Sequence, residues 1–188
     1  QPARRGDPRQ HAHPPTPHPP PARHPRPLPA TAPALHPSII DSTDPGRSKP
    51  FSPPFARTAL LSALADAYLD HRDRLARMAT LEMGKTLKSA LAEVDKCVAA
   101  FRHYAKEGPA MLEGGSIALS SGGKADLVWL PIGPVLAVMP WNFPYWQVVR
   151  FLAPCILAGN VGLLKHASNV QGVAALMQEM MGVAGAPE

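Results

Sequence analysis

Three kinds of side chain in this 188-residue sequence could do chemistry: thiols, imidazoles, and polar groups standing where apolar runs end. The two cysteines, Cys97 and Cys155, lie 58 residues apart in apolar helical patterns and form no CxxC pair. They make neither a redox motif nor a disulfide framework, a usage that suits a reducing, cytoplasmic home. With no activating base or helix N-terminus beside it, each reads as a core residue and not as a nucleophile. Five of the eight histidines, His11, His13, His18, His24 and His36, crowd the first 54 residues, where weak metal binding is one reading. No metal site is expected in the rest. The third group is more informative. The run Val135–Met139 ends in Pro140, Trp141 and Asn142, and the run Val161–Lys165 ends in His166, Ala167 and Ser168. Arg150 is a single charge inside an apolar stretch (Val148, Val149, Phe151, Leu152) and needs a partner there. Lys165, closing an apolar strand, would by itself read as a snorkelling surface residue. Glu82 and Glu93 belong to early helices and read as structural.

The elements that must position these residues follow from periodicity. From Phe55, Leu60, Leu61, Leu64, Tyr68, Leu75 and Met78 recur at helical spacing up to Gly84, which ends or interrupts the helix. A second helix is predicted from about Thr86 to Met111, with Gly108-Pro109 and Gly114-Gly115 punctuating its end. The period then changes. Ala125–Leu130 alternates as a short strand, Pro131-Ile-Gly-Pro134 is a turn, and Val135–Met139 has the pattern of a parallel strand buried on both faces. Pro140–Pro144 is a loop, residues 145–158 a helix stopped by Gly159-Asn160, Val161–Lys165 another buried strand, and Val170–Val183 a last helix. Strand, helix, strand, helix in this order makes a βαβ crossover, hence an α/β domain with part of a doubly wound parallel sheet. Ligands of such sheets bind beyond the carboxyl ends of the strands, here Met139–Asn142 and Lys165–Ser168.

Residues 1–54 have another texture. They hold 17 of the 24 prolines and a net charge of +4, against +1 for residues 55–188. Proline excludes helix and central strand, and few large apolar side chains are available to offset ordering entropy. A disordered tail with polyproline II character is expected, either solvated and functionless or a ligand for a partner domain. The same composition also arises when GC-rich DNA is read in a wrong frame. Because the basic excess sits in this tail, a nucleic-acid-binding surface is excluded for residues 55–188. Apolar runs are broken by Pro140, Asn142, Arg150 and Lys165, so no membrane span is expected. The N-terminus lacks the continuous apolar segment of a secretory signal.

Leu81-Glu-Met-Gly-Lys85, Pro131-Ile-Gly-Pro134, Met139-Pro-Trp-Asn-Phe-Pro144 and Gly159-Asn-Val-Gly-Leu-Leu-Lys165 follow one another as in aldehyde dehydrogenases. Residues 55–188 resemble, most closely, bacterial succinate-semialdehyde dehydrogenases, whose lysine is likewise followed by His-Ala. The resemblance implies an oxidoreductase acting on a small aldehyde with NADP or NAD. It implies that the Asn142 amide donates to the oxyanion formed when a thiolate attacks the aldehyde; the alternative is that Asn142 only caps a loop. It implies that Lys165 binds the adenosine ribose, that Met139, Pro140 and Trp141 line the cofactor, and that Arg150 clamps a far carboxylate, with a surface or intersubunit salt bridge as the alternative. Ser168 stands where NAD-preferring members often carry glutamate, and a hydroxyl near a lysine tolerates a 2′-phosphate, which leans toward NADP. The lack of a GxGxxG fingerprint fits the family. The resemblance also implies that the general-base glutamate, the nucleophilic cysteine and the oligomerisation strand of homo-oligomeric members lie beyond the residues matched. No dehydrogenase activity is therefore expected of this polypeptide alone, and a non-catalytic fragment or interaction protein is the competing reading.

Overall fold

The computed structural model describes residues 54–186; the expectations for residues 1–53, the proline-rich tail, lie outside the described residues. Three helices lead: α1 (Pro54–Asp70), α2 (Arg72–Met83) and α3 (Leu87–Met111). Two short strands follow, β1 (Gly115–Ala118) and β2 (Lys124–Leu127), then β3 (Pro134–Val138), α4 (Trp146–Leu157), β4 (Val161–Lys165) and α5 (Gln171–Val183). β3 and β4 pair in parallel, with Pro134 opposite Val161 and Val138 opposite Lys165. The βαβ unit expected from the sequence is thus present, in an α/β fold whose described parallel sheet has two strands.

Three expectations are corrected. The helix predicted from Phe55 to Gly84 breaks at His71, whose amide and imidazole Nδ1–H both donate to the Ala67 carbonyl. His71 itself leaves the helical region (φ −101°, ψ 15°), and α2 restarts at Arg72. Gly84 then ends α2 in the left-handed region (φ 75°), its N–H on the Thr80 carbonyl. Second, the strand expected over Ala125–Leu130 covers Lys124–Leu127 and pairs antiparallel with β1, a strand the sequence reading did not assign. Pro131 cannot donate to a ladder, and the chain leaves the hairpin before it. Third, β3 is not buried on both faces: Ala137 is buried, but Leu136 and Val138 are each 66% exposed. Among the described residues only one face of this sheet is covered. Leu152 and Phe151 of α4 close on Gly162 there, and a β-carbon would sit only 3.2 and 3.3 Å from their side chains, a tight fit.

The core is helical and sits among all five helices, α1 to α5. Leu61, Leu64, Leu75, Val94, Phe101, Val149, Val173 and Met180 are fully buried within it. Tyr68 makes edge-to-face contacts with Phe101 and Tyr145, at centroid distances of 5.2 and 6.2 Å. Gly108 lets α3 approach α4, because a β-carbon there would overlap the Leu157 methyls. No described helix is long and apolar enough to cross a membrane.

Candidate functional site

The loop between β3 and α4 is held at four points, and each restraint comes from a different element. At its start, the Met139 amide donates to the Lys165 carbonyl (3.0 Å), extending the β3–β4 ladder past Val138. At its end, Tyr145 is driven into the core; its hydroxyl donates to the Leu75 carbonyl at 2.9 Å. Burial, with the Glu82 and Glu93 carboxylates nearby, raises the Tyr145 hydroxyl far above its ordinary pKa, so it keeps the proton it donates. Beside Tyr145 the first two free N–H groups of α4, those of Tyr145 and Trp146, donate to Glu93 Oε1, both at 2.9 Å. The Tyr145 side chain makes no capping bond, and the Phe143 carbonyl accepts only the next amide, that of Gln147, at 3.0 Å. The cap arrives instead from α3, 52 residues upstream, and the positive end of α4 favours its charge. Glu93 is 1% exposed and would be an expensive buried anion; the ammonium of Lys85, 8% exposed, neutralises it directly. That ammonium also lies 3.9 Å from the centroid of the Phe143 ring. The fourth point is His166, whose Nε2–H donates to the Pro144 carbonyl at 2.9 Å.

The second loop, after β4, begins with that same histidine. Its Nδ1 accepts the Ala167 amide (2.9 Å), which assigns the ring proton to Nε2. α5 likewise lacks a cap of its own. Both oxygens of Glu82, 90 residues upstream, accept from its first turn: Gly172 N at 2.7 Å and Val173 N at 2.8 Å. A β-carbon on Gly172 would press on Glu82 Oε1 and the Met78 sulfur, so glycine is what allows this approach. The Leu81–Lys85 motif thus works through its two charged side chains. Glu82 caps α5, and Lys85 supports the carboxylate that caps α4. At the opposite end of the sheet, Gly159 is left-handed (φ 81°) and Asn160 Oδ1 accepts from Ile132 and Gly133, binding the turn before β3 to the start of β4.

This frame brings most of the expected site residues to one edge. Met139, Pro140, Trp141 and Asn142 lie on the first loop, and Lys165 and Ser168 on the second; Val138 and Lys165 are register partners. Trp141, Asn142, Lys165 and Ser168 are exposed. Lys165 has no carboxylate within ion-pair distance among the described residues. Arg150 is separate: it sits on the second turn of α4, exposed, with no ion pair and no hydrogen bond to Asn142 among the described residues. The apolar neighbours that made it look stranded are mostly turned inward while its own side chain faces out. Cys97 and Cys155 are both buried; desolvation holds the Cys97 thiol far above the usual range and pushes Cys155 up to about 11. Among the described residues no cluster of His, Cys, Asp and Glu is arranged to hold a metal ion.

Sequence reasoning recognised the two loops but not what fixes them. Glu82 and Glu93 were legible as structural, yet their partners are distant backbone N–H groups that no local pattern encodes. His166 carried one signal, a lone imidazole directly after Lys165.

Two parallel strands joined by a crossover helix define an α/β fold, a class in which ligands generally bind beyond the carboxyl ends of the strands. The sequence profile of the aldehyde dehydrogenase family matches residues 50–188, so the chain belongs to that family. It is 46% identical over 136 residues to a probable succinate-semialdehyde dehydrogenase [NADP(+)] of Synechocystis, covering 72% of this chain and 30% of that protein. A Mycobacterium avium protein named succinate-semialdehyde dehydrogenase [NADP(+)] is 48% identical over 134 residues, 70% of this chain and 28% of its own. The described fold superposes on the succinic semialdehyde dehydrogenase of Streptococcus pyogenes, solved with NADP+, with a TM-score of 0.68 and 36% identity over 71% of this chain and 29% of that one. Betaine aldehyde dehydrogenase of Staphylococcus aureus, solved with NAD+, gives a TM-score of 0.73 at 27% identity, over 80% and 30%. The chain therefore spans less than a third of the length of the curated relatives it matches.

Proposed function

We propose that this chain carries the dinucleotide-facing and oxyanion-donating part of an NADP-dependent succinate-semialdehyde dehydrogenase. The observation that carries the reading is the pairing of β3 with β4, which sets the loop of Asn142 directly beside the loop of Lys165 and Ser168. In this reading the Asn142 amide, neutral and untitratable, donates to the aldehyde oxygen as it gains negative charge. One such donor is worth about 10²–10³ in rate. Lys165 and Ser168 hold the adenosine ribose. An ammonium without a carboxylate partner, three residues from a hydroxyl, suits a 2′-phosphate, and the names of the curated relatives support NADP over NAD. Met139, Pro140 and Trp141 line the dinucleotide. Arg150, exposed and unpaired among the described residues, is available to clamp the substrate's far carboxylate. The bound dinucleotide would accept the hydride. Neither Cys97 nor Cys155 is offered as the nucleophile, because both thiols are buried and burial raises both above the ordinary thiol range. Aldehyde-dependent NADPH production by the purified chain overturns that point.

The experiment is a thermal melt of the full chain with saturating NADP+ or NAD+. At about 100 times the dissociation constant a specific ligand adds ~2.7 kcal/mol. NADP+ should raise the midpoint by several degrees, Lys165→Met should abolish the rise, and Ser168→Glu should move the preference toward NAD+. No shift with either dinucleotide sinks the reading.

A further inference from the structure

We propose that His166 is a positioning residue, a latch whose imidazole fixes the Asn142 loop onto the Lys165 loop. The evidence is geometric. His166 is 5% exposed, one of two buried polar residues among the described residues, the other being Glu93. Both ring nitrogens are used, and on different loops: Nδ1 accepts the Ala167 amide of its own loop, while Nε2–H reaches across 22 residues to the Pro144 carbonyl. The first bond orients the ring and sets its tautomer; the second makes the connection. Pro144 is fully buried, and it is the last loop residue before the Glu93-capped start of α4. Its carbonyl needs a donor, and proline itself brings no N–H to the region. Without the latch the loop would keep the Met139–Lys165 bond at one end and, at the other, Tyr145 held by Glu93 and the Leu75 carbonyl. The intervening Trp141–Phe143 segment, with Asn142 at its centre, would gain freedom.

The catalytic importance of the latch rests on the function proposed above, but its existence does not, so the test uses the unliganded full chain. Amide hydrogen exchange is followed in segment 140–147 and, as an internal control, in α1–α3. Asn and Gln separate the two bonds of the imidazole. The amide of His166→Asn can replace Nδ1 but falls short of Pro144, whereas His166→Gln can carry a donor to the Nε2 position. The Ala167 amide, only half-buried, can turn to water. Expected is roughly tenfold faster exchange of segment 140–147 in His166→Asn, with α1–α3 unchanged, and rates within about twofold of the original in His166→Gln. Equal loss in both variants, loss spread over α1–α3, or unchanged exchange in His166→Asn each overturns the proposal. If NADP+ has no effect on the chain while the Asn and Gln variants differ as stated, the latch stands and the functional reading fails.

Discussion

Replacing Glu93 by glutamine keeps the shape of the side chain and removes its charge, leaving the Lys85 ammonium buried against a neutral amide. In the native fold this carboxylate receives the Lys85 ammonium and the Tyr145 and Trp146 N–H groups, whereas among the described residues Lys85 has only the carboxylate and the Phe143 ring. The pair is therefore asymmetric. Removing the carboxylate's charge strands a buried cation and weakens two donors at a helix N-terminus, at a cost of about 3–5 kcal/mol. Removing the ammonium by Lys85→Met leaves the anion with two backbone donors and the positive end of α4, and should cost about 1–2 kcal/mol. For a unit slightly above 100 residues each kcal/mol corresponds to roughly 4 °C, so Glu93→Gln should melt at least ~12 °C below the original chain and Lys85→Met no more than ~8 °C below. In Lys85→Met/Glu93→Gln no charge is left buried, and the double variant should melt above Glu93→Gln. Circular dichroism melts of the four full-length chains measure this directly. Asp95→Asn, which breaks the solvent-exposed pair with Arg72, is the control and should shift the midpoint very little. If Lys85→Met proves costlier than Glu93→Gln, or Glu93→Gln no costlier than the control, the carboxylate is not the hub described here.

Three further outcomes are expected. Glu82→Ala should cost about 1–2 kcal/mol through the uncapped α5, and Gly172→Ala should destabilise through the same contact, so a double variant should cost less than the two added together in denaturant titrations. Gly108→Ala should lose about 1–3 kcal/mol by overpacking against Leu157, while Gly182→Ala, with nothing within 4 Å of its β-carbon, should gain about 0.5–1 kcal/mol; the same titrations give both. Because Cys97, Cys155, Tyr68 and Tyr145 all hold their protons more tightly folded than unfolded, the folded state binds more protons above the unfolded thiol pKa of about 8.5. Stability should fall as pH rises from about 8.5 toward 11, and thiol labelling at pH 8 should be slow until the chain is denatured; rapid labelling of either thiol would contradict its burial.

Most elements were legible because each has a strong local signature. The Leu87–Met111 stripe, the β-rich runs ending at Met139 and Lys165, and the glycine stops at Gly84 and Gly159 all lie where periodicity puts them. The break at His71 was hidden because apolar spacing continues through Leu69 to Leu75, while the break itself depends on a ring reaching back one turn. β1 was missed because four residues carry too little alternation to separate a strand from a loop rich in glycine. The exposure of Leu136 and Val138 was also out of reach, since a buried parallel strand and a half-covered one read alike. At the site, the loops were legible through proline and the end of apolar runs. Their fixation by Glu93 and His166 is a product of contacts between distant segments.

The borrowed caps on α4 and α5 bear on how the chain folds. Neither helix has a side-chain cap at its own N-terminus, so an isolated peptide spanning either should be poorly helical in water. Helix formation in the second half becomes the same event as docking onto the first half, which removes partly formed states and sharpens the transition. Ordering of the site loops is tied to that event as well. In a chain emerging residue by residue, the loops would thus take shape only when α4 and α5 arrive to claim Glu93 and Glu82.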